Sequence, residues 1–224
     1  MENLTSPEIL YFDKNIVVVN KPAGWLSITG GYSSDQPIVK NTVESQLGRL
    51  WVVHRLDKDT SGVMLFARDP DSHRALNMQF EHHHIRKEYT ALVEGVPFWS
   101  KTQINFPLKP DGDRRHRTVL DTYGKKAFTE IQVIKRSNIH TLLCVEPHTG
   151  ITHQIRAHLS ALGFPIYGDD LYRFYCPLFK NIPNEQRVFL HASKLTFFHP
   201  NTSQEYVYTC ELPSEFLQVL NSES

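Results

Sequence analysis

The segment His54-Arg55-Leu56-Asp57-Lys58-Asp59-Thr60-Ser61-Gly62 gathers a histidine, an arginine, a lysine, two aspartates and two hydroxyl side chains within nine residues. It lies between the apolar approach Trp51-Val52-Val53 and the apolar run Gly62-Val63-Met64-Leu65-Phe66-Ala67. Polar residues at such a junction project from the end of a sheet, where a rigid support can hold a site. In extended backbone Arg55 and Asp57 point to the same side. A guanidinium beside a carboxylate favours its ionised form, and an ionised, partly buried aspartate can serve as nucleophile or base. Thr60 and Ser61 are suited to tie the turn to backbone groups, and Gly62 permits tight packing. An Arg–Asp pair beside a strand is more often a plain structural ion pair, so the spacing alone leaves both readings open.

The other chemical candidates carry less. The three consecutive histidines His82-His83-His84 diverge on a helix and do not converge on one ion. His153 and His158 lie five apart rather than at the four-residue spacing of a zinc helix, and no glutamate accompanies them. Cys144, Cys176 and Cys210 are scattered and odd in number, which disfavours a disulfide framework or a zinc knuckle and favours a reducing interior. No metal is expected. Neither a GxSxG elbow nor a phosphate-binding glycine loop is present.

The elements that must position the segment read as follows. Residues 8–12 and 16–19 form strands around the turn Asp13-Lys14-Asn15. A helix over 42–50 would be capped by Asn41 or Thr42. The run 62–67 is a central strand, followed by a helix capped by Asp69 or Asp71. Strand character returns over 88–96, and 129–135 with 138–147 reads as a hairpin. An amphipathic helix spans 152–162 with Gly163 as its stop, and 188–198 and 205–210 read as closing strands. Residues 29–41, 109–125 and 169–187 are loops. Strands outnumber helices without regular alternation, which indicates an α+β domain. With no linker, repeat or low-complexity stretch, residues 1–224 are expected to form one domain.

Composition bounds the partners. The chain has 224 residues, with 24 basic and 24 acidic side chains, so no net charge advertises nucleic acid. Basic residues nevertheless cluster at Arg86-Lys87, Arg114-Arg115-His116-Arg117, Lys125-Lys126 and Lys135-Arg136. Any one cluster alone reads as solvated loop charge. No apolar stretch is long enough to span a bilayer, and the start lacks the basic and apolar regions of a signal peptide. A cytoplasmic protein, without membrane and monomeric, is expected.

The string HRLDKDTSG resembles the HRLDxxTSG signature of RluA-type pseudouridine synthases, with all seven specified residues present. Further blocks are similar in the same order. They are Asn20-Lys21-Pro22-Ala23-Gly24, Lys87-Glu88-Tyr89 with Ala91, Val93 and Gly95, and Gly124-Lys125-Lys126-Ala127-Phe128-Thr129. There follow Thr149-Gly150-Ile151-Thr152-His153-Gln154-Ile155-Arg156-Ala157-His158, Gly163-Phe164-Pro165-Ile166-Tyr167-Gly168-Asp169 with Tyr172, and Leu190-His191-Ala192 with Leu195 and His199-Pro200. Ile151 departs from the pattern, which commonly has arginine there; a local RNA or backbone contact is at stake rather than activity. The resemblance is to the short form without an N-terminal S4 RNA-binding domain.

The resemblance implies a mixed, largely antiparallel, curved sheet with flanking helices. It also implies an isomerase that detaches uracil from ribose in rRNA or tRNA stem-loops and rejoins it through carbon, with no cofactor. By the same resemblance Asp57 is the essential carboxylate, Tyr89 stacks on the detached base, and Arg156 pairs with Asp57. Arg55 fills the space of the flipped base, Leu190 supplies an apolar wall, and Lys21, Arg115 and Lys125 contact phosphates. Two rivals stand beside this. A glycosidase-like hydrolase would need a second carboxylic acid such as Asp59 or Glu88. A non-catalytic RNA-binding or folding-assistance protein would not need Asp57, Tyr89 and Arg156 together.

Overall fold

The computed structural model describes residues 6–30, 36–173 and 187–222. The chain folds as two compact units, Met1–Lys87 with Ala192–Glu211 and Glu88–His191 with Leu212–Ser224. The sequence shows no boundary between them, and the reason is structural: the first two crossings fall within strands, where no linker composition marks them.

In the first unit, strands β1 (Glu8–Phe12) and β2 (Ile16–Lys21) form an antiparallel hairpin. Its turn is closed by Asp13, whose Oδ1 accepts the N–H groups of Asn15 at 2.7 Å and Ile16 at 2.9 Å. Helix α1 (Val39–Leu47) and strand β3 (Trp51–Val52) lead to β4 (Ser61–Ala67), whose seven residues are all buried. Both β2 and β3 pair antiparallel with β4. Helix α2 (Pro70–Glu81) starts as its sequence dictates: Asp69 accepts from the N–H groups of Asp71 and Ser72, with proline in the first position. The apolar periodicity then buries Leu76 against Ile16, Val18, Val63 and Leu65, each such side chain contributing about 1.5–3 kcal/mol.

Helix α1 begins earlier than expected and without a side-chain cap. Its first N–H groups go instead to backbone carbonyls, Val39 to Leu26 at 2.9 Å and Lys40 to Ser27 at 3.3 Å. A loop supplies what Asn41 or Thr42 would otherwise have supplied.

Strand β5 (Arg86–Glu94) carries the chain into the second unit. There β6 (Lys101–Ile104), the small hairpin β7 (Leu108–Lys109) and β8 (Val119–Leu120), β9 (Thr129–Arg136) and β10 (His140–Pro147) follow. Their order is β5-β10-β9-β6, with antiparallel registers throughout. Helix α3 (Gln154–Ala161) lies against this sheet, and Gly163 ends the segment at φ +84. Strand β11 (Leu190–Phe198) returns to the first unit and pairs with β12 (Glu205–Thr209), and α4 (Ser214–Asn221) packs Phe216 and Leu220 into the second. Ala91, Val93, Val145, Ile155, Leu159 and Leu190 form the body of that core.

The α+β class holds. Residues 109–125 contain β8 and the end of β7 rather than loop alone, and β6 and α4 add to the elements read from sequence. Helix α3 differs in kind: Gln154 through Ser160 are all buried, so it is an interior helix and not an amphipathic one. Among the described residues no helix is long and apolar enough to cross a membrane.

Candidate active site

The segment carrying Asp57 has no regular secondary structure of its own between residues 53 and 60, so other residues must fix it. Ser27 brackets Leu56, its Oγ donating to the Leu56 carbonyl at 2.6 Å and accepting the Leu56 N–H at 3.1 Å. Gly24 donates its N–H to the Lys58 carbonyl at 2.9 Å, and Thr60 closes the turn by donating to the Asp57 carbonyl at 3.2 Å. Lys21 does the most. Its ammonium donates to the carbonyls of Pro22 at 3.0 Å, Lys58 at 2.8 Å and Thr60 at 2.7 Å, and the residue is 0 % exposed. A lysine so enclosed cannot reach a phosphate. The phosphate contact expected of Lys21 is replaced by a role in shaping the Asp57 turn. The Asp57 side chain is half-buried, and Arg55 is exposed.

Two further residues complete this support. Gly62 adopts φ +112, and a Cβ there would lie 2.2 Å from the Ala192 carbonyl oxygen, so only glycine lets β4 start at this depth. His54 accepts the Leu65 N–H on Nε2 at 2.9 Å and stacks on Phe80 at a centroid distance of 5.0 Å. Burial, with the nearby charge of Lys87 adding, lowers the imidazole to about 3, so the ring is neutral. Burial likewise lowers the Lys87 ammonium to about 8.

In the second unit the structure brings Tyr89 and Leu190 to one apolar cluster. Tyr89, paired with Val145 across β5 and β10, is half-buried and packs against that cluster, while Leu190 is buried within it. Arg156 on α3 is also buried. Its Nε and Nη2 donate to Asp169 at 2.7 and 2.8 Å, a two-pronged pairing. Asp169, the partner of Arg156, carries no assigned role in the sequence, where its one signal is its place beside Gly168 in the block Gly163–Asp169. Ile151, the residue that departs from the family pattern, packs with Leu108, Ala127, Ala157 and Tyr172. The chain thus makes an apolar contact at this position.

Arg115 and Lys125 are exposed, at opposite ends of the β7–β8 hairpin. The loop that carries Arg115 is braced: Arg117 pairs with Asp113 at 2.6 Å and donates to the Leu171 carbonyl at 3.1 Å. Lys125 is fixed by reciprocal backbone bonds with Leu108. His158 bridges Thr129 at 2.9 Å and the Phe106 carbonyl at 3.0 Å, a structural tie. In the stretch 169–187, Tyr172 is buried, whereas Phe174, Tyr175 and Phe179 lie outside the described residues.

Among the described residues, one group of potential metal ligands converges: Glu88, Cys144 and Glu146, with ligand atoms within 4.8 Å of one another on β5 and β10. All three are partly exposed, and two carboxylates on neighbouring strands commonly meet without an ion.

The sequence profile of the family described as RNA pseudouridylate synthase matches residues 15–161. A dual-specificity RNA pseudouridine synthase of Vibrio cholerae is 35 % identical over 93 % of this chain and 83 % of its own length. A tRNA pseudouridine synthase of Salmonella typhi is 33 % identical over 95 % of this chain and 88 % of its own. The solved structure of human RNA pseudouridylate synthase domain containing 4 superposes with a TM-score of 0.76 at 29 % identity, covering 95 % of this chain and 91 % of that one. A second human structure, domain containing 1 of the same description, shares the fold with a TM-score of 0.79 at 23 % identity. The matched region takes in the Asp57 turn, Tyr89 and Arg156 alike, and this chain belongs to the RNA pseudouridylate synthase family.

Proposed function

We propose that this chain isomerises selected uridines to pseudouridine in rRNA, tRNA or both. The observation that carries the reading is the Asp57 turn: a half-buried carboxylate, within the matched family region, on a segment tied down by Lys21, Gly24 and Ser27. So much support for an irregular segment is what a site needs if one side chain must be held for chemistry.

The reaction breaks the bond from ribose C1′ to uracil N1 and forms one from C1′ to C5, after which the C5 proton leaves. The target base must first be extruded from its stack, which costs a few kcal/mol. Arg55 fills the vacated space with a planar cation able to stack and hydrogen-bond. Asp57 initiates cleavage, by attack on the sugar or by removing a sugar proton. Tyr89 stacks on the detached uracil, an interaction worth about 1–3 kcal/mol, and assists loss of the C5 proton. Arg156 keeps the Asp57 carboxylate ionised and oriented. Leu190 supplies an apolar wall that keeps water from the broken bond. Arg115 and Lys125 contact phosphates, which position the RNA without reading its sequence. On this reading the chain works in the cytoplasm as a monomer, as one catalytic domain, with none of these steps drawing on a cofactor.

The test uses tRNA and large-subunit rRNA transcripts tritiated at uracil C5. Rejoining through C5 must release tritium to water, and the wild type is expected to do so while Asp57→Asn does not. Free uracil as product would instead mark a hydrolase. RNA binding by wild type and Asp57→Asn alike, with no tritium released, would mark a non-catalytic RNA-binding protein.

A further inference from the structure

Burying an arginine is costly unless its donors are met and its charge is paired. Arg156 is 7 % exposed, and its partner Asp169 is 0 % exposed. The pairing is fork to fork, Nε to Oδ2 at 2.7 Å and Nη2 to Oδ1 at 2.8 Å. That geometry fixes the plane of the guanidinium as well as its distance. The ring of Tyr172 adds a floor, its centroid 5.1 Å from the Arg156 guanidinium carbon.

Asp169 is itself immobilised. Its N–H donates to the Ile166 carbonyl, and its carbonyl accepts from Tyr172 and Arg173. Its Oδ1 also accepts the N–H groups of Leu171 at 3.2 Å and Tyr172 at 3.3 Å. Arg173, at the end of this turn, is ion-paired with the wholly buried Glu94 of β5. Tyr172 is held at its far end, where its hydroxyl accepts the Thr118 N–H at 2.8 Å and lies 3.2 Å from His153 Nδ1. The turn over residues 169–173 is therefore a rigid bracket that terminates in one carboxylate and one ring, and both meet Arg156.

We infer that Asp169 is a positioning residue for the isomerisation, acting through Arg156, with the Tyr172 ring as the second face of the clamp. The inference rests on the proposed function and on the part assigned there to Arg156. A merely structural ion pair would hold α3 in place and no more. A positioning pair sets where the guanidinium stands during the reaction, so its loss appears in turnover by protein that is still folded.

The experiment is a double-mutant cycle between Asp169→Asn and Arg156→Ala. Single-turnover rates are taken on an RNA transcript from which the wild type releases C5 tritium, and are normalised to folded protein by near-ultraviolet circular dichroism. The Asn substitution keeps the size of the side chain and removes its charge. Asp169→Asn is expected to lower the rate about 100-fold, as misplacement of a catalytic group by about 1 Å does. The KM for RNA should stay within a few-fold. In the double variant the rate should fall no further than in Arg156→Ala alone. Asp169→Glu, which keeps the charge, should recover part of the loss, and it takes over the test if Asp169→Asn does not fold. A near-wild-type rate for folded Asp169→Asn, or additive losses in the cycle, would overturn the positioning role and leave the proposed function standing. A wild type that releases no tritium from any transcript would overturn the proposed function itself, and an unimpaired Arg156→Ala would remove both residues from the reaction.

Discussion

Replacing Lys21 by methionine separates two roles that the same residue type can play. Methionine fills similar volume but carries no charge and no donor. Three carbonyls lose a partner, those of Pro22, Lys58 and Thr60. The Lys58 carbonyl still receives the Gly24 N–H at 2.9 Å, which leaves Pro22 and Thr60 most exposed to the loss. A buried acceptor stripped of its partner costs about 1–3 kcal/mol, and removing the ammonium relieves some desolvation. The expected destabilisation is about 3 kcal/mol, which for a chain of this size lowers Tm by about 6–12 °C. Because Lys58 and Thr60 lie one and three residues beyond Asp57, the rate per folded molecule should fall about 100-fold, the effect of a catalytic group displaced by about 1 Å. Calorimetry and single-turnover tritium release measure the two effects. RNA binding measured across salt concentrations adds a third reading: a buried lysine neutralises no phosphate, so the slope of affinity against salt should not change. A slope lower by about one, with Tm and rate unmoved, is the signature of a lost phosphate contact and would show that Lys21 is no brace of the Asp57 turn.

Other substitutions probe separate parts of the structure. Gly62→Ala places a Cβ 2.2 Å from the Ala192 carbonyl oxygen at a positive φ, and should cost more than about 4 kcal/mol; a melting temperature within about 3 °C of wild type would contradict that. His54 is lowered to about 3 in the folded protein from an ordinary value of 6.5, so its contribution to stability is complete above pH 6.5 and is lost as pH falls toward 3. Between pH 7.5 and 5 that loss is about 2 kcal/mol at about 1.4 kcal/mol per pH unit. In urea unfolding, His54→Gln, whose amide oxygen can still accept the Leu65 N–H, should lose that much less than wild type, and equal losses would remove the histidine from the account. Arg115→Ala combined with Lys125→Ala should weaken RNA binding and lower the salt slope by about two while leaving the single-turnover rate at saturating RNA intact. An unchanged slope would take both residues out of the interface.

Much of the fold was legible because its causes are local. The unbroken apolar run of β4, the Asp69 cap and proline that start α2, and the Gly163 stop after α3 each act within a few residues. What escaped depends on distant partners. Helix α1 takes its first hydrogen bonds from Leu26 and Ser27, so no cap residue announces its true start. Strands β7 and β8 are two residues each and exist through pairing with one another and with Lys125. Helix α3 is buried on every side, which erases the polar face that periodicity looks for. The site divides in the same way. Asp57, Tyr89 and Arg156 stand in motifs that a single sequence displays. The partners of Lys21 on the Asp57 turn lie 37 and 39 residues away, and the pairing of Arg156 with Asp169 crosses 13 residues of chain. Only the folded chain brings these partners together.

On the proposed function this chain makes pseudouridine in cellular RNA with Asp57 as its essential group. Pseudouridine mapping of total RNA from cells lacking the gene, complemented by wild type or by Asp57→Asn, tests it most directly. Specific sites in rRNA or tRNA are expected to vanish on deletion and to return with the wild type alone. Sites restored equally by Asp57→Asn, or a map unchanged by deletion across several growth conditions, would contradict it.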